Sequence, residues 1–175
     1  RYDSHGNRVG SEFQVNTHTH NYQSLPSVTD LADGGFVVTW SSYLQDGSKE
    51  GVYGQRYDSN GNVVGSEFQV NTYTDDSQGW PSVTGLSNGG FVVTWTSQEQ
   101  DGSGYGIYAQ RYDSDGNPVG SEFQVNTYTD STQWEPSVTN LADGGFVVTW
   151  QSEGQDGSGR GIYGQRYDSD GNQVG

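Results

Sequence analysis

Residues 89–127 read GGFVVTWTSQEQDGSGYGIYAQRYDSDGNPVGSEFQVNT, and the motifs in this stretch recur along the whole chain. The motif RYDSxGNxVG occurs four times at a constant spacing of 55 residues, beginning at Arg1, Arg56, Arg111 and Arg166. Three further motifs of the stretch (GGFVVTW, QDGS and SEFQVNT), together with PSVT, each occur three times with the same period. A strict period of this length, with no insertions, predicts a repeat architecture.

Each repeat contains four candidate strands and no candidate helix. SEFQVNT alternates, with Phe and Val on one face, and GIYGQRYD alternates as well. GGFVVTW is apolar on both faces, as expected for a strand that is buried on both sides. PSVT begins with proline, which suits the first residue of a strand. The Gly and Asp residues that separate the last three segments are typical of hairpins.

Four antiparallel strands per repeat match the size of a propeller blade. The sequence therefore predicts an all-β fold, a β-propeller-like array of three four-stranded blades. In each blade PSVT is innermost, GGFVVTW second, GIYGQRYD third and SEFQVNT outermost. A sandwich array or a β-solenoid is the alternative. The predicted divisions are a partial repeat at 1–10 and full repeats at 11–65, 66–120 and 121–175.

The charge of the chain restricts its partners. Its 22 acidic residues outnumber its 7 basic ones, which gives a net charge of −15 at pH 7. So few cations cannot neutralise a phosphate backbone, which excludes nucleic acid, and the same charge disfavours anionic membrane surfaces. No apolar run approaches the length of a membrane span, so we expect no membrane insertion. Cations and neutral ligands remain.

The DSxGN segments have the opening rhythm of a calcium loop, because Asp113, Asp115 and Asn117 alternate. The position of Asp115 is, however, occupied by His5 in the first copy. Calcium prefers oxygen ligands, so a position that accepts histidine is a poor ligand position. His, Asn and Asp before Gly all suit the positive-φ positions of a hairpin turn. We interpret these segments as turns, with incidental calcium affinity as the alternative.

The QDGS loops are the better metal candidates. Their aspartate recurs beside a serine hydroxyl and a glycine, and such a loop can form a weak calcium site when a neighbouring loop adds an acid. The alternative is a turn in which the aspartate caps its own backbone. The predicted metal ligands are Asp46, Asp101 and Asp156, with Asp75, Asp76 and Asp130 as possible second acids.

Aromatic residues in the longer connections are the second candidate site. These connections vary between copies and lie on one rim of the predicted blades, where a constant scaffold presents binding surfaces. Aromatic rings beside Asp, Asn, Gln and Ser can stack on a sugar ring and contact its hydroxyls, whereas a role in clamping adjacent blades is the structural alternative. The candidate glycan-binding residues are Tyr22, Tyr73, Trp80, Tyr105, Tyr128 and Trp134.

Catalysis is not expected from the sequence. The three histidines all lie in the first copy, so no Ser/His/Asp set recurs. Glycosidases need two carboxylates in different environments, and the repeat supplies the same acid three times. Threefold repetition instead suits multivalent binding. The sequence therefore predicts a protein that is not an enzyme.

A family resemblance adds to these predictions. The string GIYGQRYDSDGNxVGSEFQVNT, followed by QxxPSVTxLADGGFVVTW and QDGSGxG, resembles the tandem repeats of very large secreted bacterial proteins of the RTX (haemolysin-type) class. The resemblance covers essentially the whole chain. It implies secretion, a cell-surface or adhesin setting, and calcium dependence.

Two functions remain open from sequence. The first is a non-catalytic, lectin-like module that binds glycans through its rim loops. The second is a structural or assembly module, with calcium binding as an optional source of rigidity. Open strand edges at both ends of the repeat array favour a homo-oligomer. Either two chains would close a six-bladed ring, or copies would join end to end.

Overall fold

A computed structural model describes residues 1–175 as an all-β protein of three four-stranded antiparallel sheets. Sheet 1 contains β1 (Gln23–Asp30), β2 (Phe36–Tyr43), β3 (Glu50–Tyr57) and β4 (Val63–Gln69). Sheet 2 contains β5 (Gln78–Gly85), β6 (Phe91–Gln98), β7 (Tyr105–Tyr112) and β8 (Pro118–Gln124). Sheet 3 contains β9 (Gln133–Asn140), β10 (Phe146–Glu153), β11 (Arg160–Tyr167) and β12 (Gln173–Val174). The structure contains no helix with the length and apolar character needed to span a bilayer.

The strands of each sheet are paired in chain order, which confirms the predicted antiparallel four-stranded units and their strand order. The first strands of the three sheets lie side by side, with β5 packed between β1 and β9. Sheets 1 and 3 therefore each pack on sheet 2. Because three sheets in this arrangement do not close a ring, the propeller remains a prediction.

The DSxGN segments are turns, as predicted. The Asp58 N–H donates to the Asn62 carbonyl at 2.9 Å, and the Gly61 N–H donates to the Asp58 carbonyl at 2.9 Å. The Asp58 carboxylate accepts the backbone N–H groups of Asn60 and Asn62. Positive φ is confined to the glycine, at 87° in Gly61. The residue before the glycine was also expected to have positive φ, but it does not. His, Asn or Asp therefore fits at that position without strain.

The outermost strands are displaced from the predicted SEFQVNT segments. β4 ends at Gln69, although the Val70 N–H still donates to the Val52 carbonyl of β3 at 2.8 Å. The side chain of Asn71 takes over the pairing there, because its Oδ1 accepts the Val52 N–H at 2.7 Å. Its Nδ2 donates to the Tyr73 carbonyl at 2.8 Å, which holds the following loop.

The outermost segments at the two ends of the array are also shorter than predicted. Residues 11–17 form no strand, although they pack against sheet 1: the Phe13 and Tyr57 rings lie 5.4 Å apart. In sheet 3 the outermost strand contains only two residues, which pair with Arg166 and Tyr167. The four-stranded unit thus begins inside one predicted repeat and takes its outermost strand across the boundary to the next.

The hydrophobic core lies between the sheets, in one cluster at each junction. At the first junction Val37 and Val52 of sheet 1 pack with Trp95 of sheet 2, and all three are buried. At the second junction Ile107 of sheet 2 packs with Trp150 of sheet 3. The tryptophans that end the three GGFVVTW motifs, Trp40, Trp95 and Trp150, belong to this core, since each is at most 6% exposed.

Arginine side chains reinforce both junctions. The Arg56 guanidinium, on β3, donates to the Ser114 carbonyl at 2.6 Å and to the Asp115 carbonyl in the DSxGN turn of the next sheet. Arg111 repeats the arrangement on sheet 3, with its Nη2 2.8 Å from the Ser169 carbonyl oxygen. The arginines that open the second and third RYDSxGNxVG motifs, Arg56 and Arg111, therefore each link two sheets.

Candidate functional site

A groove of about 260 Å³ opens between sheets 2 and 3, at the rim where the longer connections lie. Its walls combine three aromatic rings with hydroxyl and charged side chains. Sheet 2 contributes three residues, and sheet 3 with the connection before it contributes four. The lining residues are Trp80, Thr96, Tyr105, Thr132, Trp134, Glu153 and Arg160.

Trp80 reaches this groove through a bulge in the innermost strand. The register of β5 with β6 shifts between Gly79 and Ser82, and Trp80 within the bulge has φ 53°. Such backbone is uncommon for a bulky residue and persists only where the surrounding structure enforces it. The Trp80 side chain remains 36% exposed and meets Tyr105 edge to face, with ring centroids 6.4 Å apart.

The opposite wall belongs to sheet 3. The Arg160 guanidinium, at the start of β11, lies over the Trp134 ring at 4.6 Å from its centroid. This cation–π contact holds the indole plane in place. Glu153 ends β10, and its backbone N–H donates to the Thr132 carbonyl at 3.0 Å. The wall therefore combines an aromatic plane, a hydroxyl, a cation and a carboxylate.

Thr96 supplies a buried hydroxyl to the same groove. Its side chain lies on β6 and is 0% exposed, and its Oγ1 has no hydrogen-bond partner in the protein. Buried polar atoms are normally paired, so an unpaired hydroxyl beside a cavity is a ready donor and acceptor for a ligand.

The structure brings together half of the aromatic residues singled out from sequence. Trp80, Tyr105 and Trp134 line the groove. The other three do not: Tyr22 stacks on Tyr43 in sheet 1, while Tyr73 and Tyr128 lie in the connections outside the groove. Sequence reasoning did not select Thr96, Thr132, Glu153 or Arg160. The variation of residues 105 and 160 between copies was a usable signal for Arg160.

The corresponding place between sheets 1 and 2 has no tryptophan walls, and Tyr105 stands there at the position of Arg160. Leu25 stands at the position of Trp80, Glu50 at that of Tyr105, and Gly79 at that of Trp134. The backbone is the same, since Leu25 also has φ 53°. The aromatic groove is therefore formed at one junction, and the predicted multivalency is not matched by equivalent aromatic grooves.

The aspartates of the QDGS loops cap their own turns. The Asp101 Oδ1 accepts the Ser103 N–H at 3.2 Å, and its Oδ2 accepts the Gln124 side-chain N–H at 2.9 Å. Burial, and then the nearby Asp101 carboxylate, raises the pKa of Tyr108 to about 12. Asp46 and Asp156 accept the equivalent backbone bonds at 3.0 Å.

No three His, Asp or Glu side chains gather in a geometry suited to a metal ion. Of the acids expected to complete the site, Asp76 instead forms an ion pair with Lys49 at 2.7 Å. Calcium binding at the QDGS loops stays a prediction.

No protein-family model matches the sequence, and no relative was found among curated proteins. The fold is similar to that of the Hadza microbial sialidase Hz136 (TM-score 0.63, 13% identity, 86% of this chain and 36% of that one). It is also similar to an α-L-arabinofuranosidase from Lactobacillus brevis (TM-score 0.56, 11% identity, 99% of this chain and 67% of that one). A third similar structure is an endo-arabinase from Bacteroides thetaiotaomicron VPI-5482 (TM-score 0.53, 14% identity, 81% of this chain and 55% of that one). The chain spans between 36% and 67% of these proteins, and at such identities the likeness shows the fold alone.

Proposed function

We propose that the chain is a non-catalytic carbohydrate-binding module and that the groove between sheets 2 and 3 holds a sugar ring. The observation that carries this proposal is the pairing of two tryptophan walls, the exposed Trp80 and the half-buried Trp134, across a sheet junction with polar side chains between them. The structural neighbours, three of them named for carbohydrates, share the fold and support the same ligand class.

The chemistry of the walls suits a sugar in two ways. The C–H faces of a pyranose are apolar and pack on indole planes, which are large and rigid. Its hydroxyls need donors and acceptors, which Thr96, Thr132 and Glu153 supply. The groove is smaller than the roughly 300–1,000 Å³ typical of pockets for drug-sized ligands, so it suits one sugar ring at the end of a glycan.

The non-catalytic part of the proposal is supported by the acids of the groove. Glycoside hydrolysis uses two carboxyl groups that flank the scissile bond. Glu153 is the single carboxylate that lines the groove. Glu135, the nearest acid along β9, accepts a hydrogen bond from Gln151 instead.

The secreted or cell-surface setting is supported by the sequence resemblance. A module of this kind on a large surface protein would attach it to glycans. The net charge of −15 favours neutral glycans over acidic ones because an acidic sugar would be repelled.

The test uses substitutions that the chain itself already tolerates elsewhere. Trp80→Leu installs the residue found at this position in sheet 1, and Trp134→Ser installs the residue of Ser24. The wild-type chain is screened on a glycan array, and binding of the best glycan is titrated by calorimetry. Each variant should weaken binding at least about tenfold, equivalent to about 1.4 kcal/mol.

The matched control is Tyr73→His, which introduces the residue of His18 at a predicted aromatic outside the groove. This variant should bind like the wild type. An array without any bound glycan, or equal losses in all three variants, would contradict the proposed site.

The alternative function, an assembly module, is favoured by a separate observation. Two apolar sheet faces at the ends of the array are exposed although their internal equivalents are buried.

A further inference from the structure

The outer face of sheet 3, formed by Leu141, Val147 and Ile162, is open. Ile162 is 75% exposed, whereas the equivalent Ile107 and Val52 in sheets 2 and 1 are 0% exposed. The two internal residues are covered by the next sheet of the array. The same local sequence therefore presents a packing surface that has no partner within the chain.

The outer face of sheet 1, formed by Val28, Phe36 and Val38, is also open. In sheets 2 and 3 the equivalent face packs on the preceding sheet. Val28 is 65% exposed, whereas the equivalent Val83 and Val138 are 6% and 7% exposed. A cavity of about 410 Å³ lies on this face, lined in part by Phe13 and the three residues that define it.

The two internal junctions show what covers such faces. At each of them, the inner strand of the following sheet packs on the preceding sheet. The Val83 N–H donates to the Ser27 Oγ at 3.2 Å, and the Val138 N–H donates to the Ser82 Oγ at 3.2 Å. On the open faces, Ser137 of sheet 3 stands at the position of Ser27 and Ser82, and Val28 of sheet 1 stands at that of Val83 and Val138. Docking of the two faces would therefore allow the Val28 N–H of one copy to donate to the Ser137 Oγ of the other.

We propose that the outer face of sheet 3 docks on the outer face of sheet 1 of a second copy of this chain, reproducing the internal junction. Ile162, Val147 and Leu141 of one copy then cover Val28 of the other. The occupant is inferred from the chain's own repeats, because each face already has a matching partner of nearly identical sequence inside the molecule. The inference is independent of the sugar groove.

Residues 1–10 mark the place that the second copy would take. Arg1 donates to the Ser59 carbonyl and lies over the Phe36 ring, so it fills the role that Arg56 has toward Ser114. Residues 166–175 carry the same RYDSxGNxVG motif. Residues 1–10 are all exposed. On docking, residues 166–175 of one copy would take the place of residues 1–10 of the other copy.

Two contacts at the open faces fit this exchange. Arg166, unlike Arg56 and Arg111, pairs with Asp143 of its own sheet. Residues 11–17 need not move, since Phe13 already packs on Tyr57 at 5.4 Å as Phe68 packs on Tyr112 at 5.5 Å. The interface joins two different surfaces, so copies form a ring if the rotation closes and an open chain if it does not.

The experiment measures mass in solution over a range of concentrations, by sedimentation velocity and native mass spectrometry. The wild type should associate. Ile162→Lys blocks the face of sheet 3, and Val28→Lys blocks the face of sheet 1; each variant alone should be monomeric, with association at least about tenfold weaker. Because both residues are exposed, the substitutions should leave the urea unfolding midpoint nearly unchanged.

Mixing the two variants is the decisive step. Each supplies the intact face that the other lacks, so an equimolar mixture should form a one-to-one dimer and nothing larger. The control is Val63→Lys, at a valine that is 60% exposed on the outermost strand of sheet 1, which should associate like the wild type. A monomeric wild type, variants that associate normally, or a mixture that stays monomeric would each overturn the proposal.

Discussion

The Asn71 side chain offers a sharp test of how the sheets are joined. It is 3% exposed and makes three hydrogen bonds, accepting the Val52 N–H at 2.7 Å and donating to the Tyr73 carbonyl at 2.8 Å and to Gln78 at 3.3 Å. Asn71→Ala leaves the fully buried Val52 N–H without an acceptor. An unsatisfied buried donor costs about 1–3 kcal/mol, and each lost neutral bond costs about 1 kcal/mol.

We therefore expect Asn71→Ala to lower the free energy of unfolding by about 2–4 kcal/mol. For a chain of this size, a change of 1 kcal/mol corresponds to about 2–4 °C in Tm, so the Tm of the variant should be lower by about 4–16 °C. Thermal unfolding followed by circular dichroism and calorimetry measures both quantities.

The chain contains its own control. Asn16 occupies the same motif and keeps bonds to the His18 carbonyl and to Gln23, but it accepts no backbone N–H. Asn16→Ala should cost about 1 kcal/mol or less, because its side chain is only half-buried. Equal losses at the two positions would refute the role assigned to the Val52 bond.

Three further predictions concern the junctions and turns. Gly90→Ala should lower the free energy of unfolding in urea by about 1–3 kcal/mol, since the new Cβ would overlap the Tyr112 carbonyl oxygen; an unchanged urea midpoint would contradict the close approach. Arg111→Met keeps the aliphatic stem but loses the bonds to the next turn, so it should cost about 1 kcal/mol in the same assay. The Asn117 side chain and backbone N–H lower the pKa of the Asp113 carboxyl, so its contribution to stability is present above the unfolded value of about 3.9 and is lost as pH falls through the lower folded value. Asn117→Ala should therefore flatten the acid limb of a plot of urea midpoint against pH, and an unaltered limb would count against this source of stability.

The sequence predicted the strands well where a local pattern specified them. Alternation and the apolar GGFVVTW run identified β2, β6 and β10, and the Gly-containing turns gave the antiparallel order. The errors occurred where a side chain or a bulge replaced regular pairing. Asn71 ends the outermost strand by accepting a backbone N–H, and the bulge at Leu25 extends the innermost strand back to Gln23.

About half of the candidate groove was predictable. Trp80, Tyr105 and Trp134 were recognisable as aromatics in variable segments, but their assembly was not, because Trp80 and Trp134 belong to different repeats. Arg160 and Glu153 join them only because sheet 3 packs on sheet 2. The positive φ of Trp80 is not expected from the sequence, because a residue before proline normally adopts extended backbone.

The sequence by itself determined the 55-residue repeat, the four-strand unit and the turns, since these depend on neighbouring residues and on hydrogen bonds within a few positions. Tertiary structure decided which faces are covered and where a groove forms. Ile107 and Ile162 have nearly the same local sequence and the same strand position, yet one is 0% and the other 75% exposed. Burial is a property of what packs on a face, and a repeat encodes the face without encoding whether another sheet lies on it.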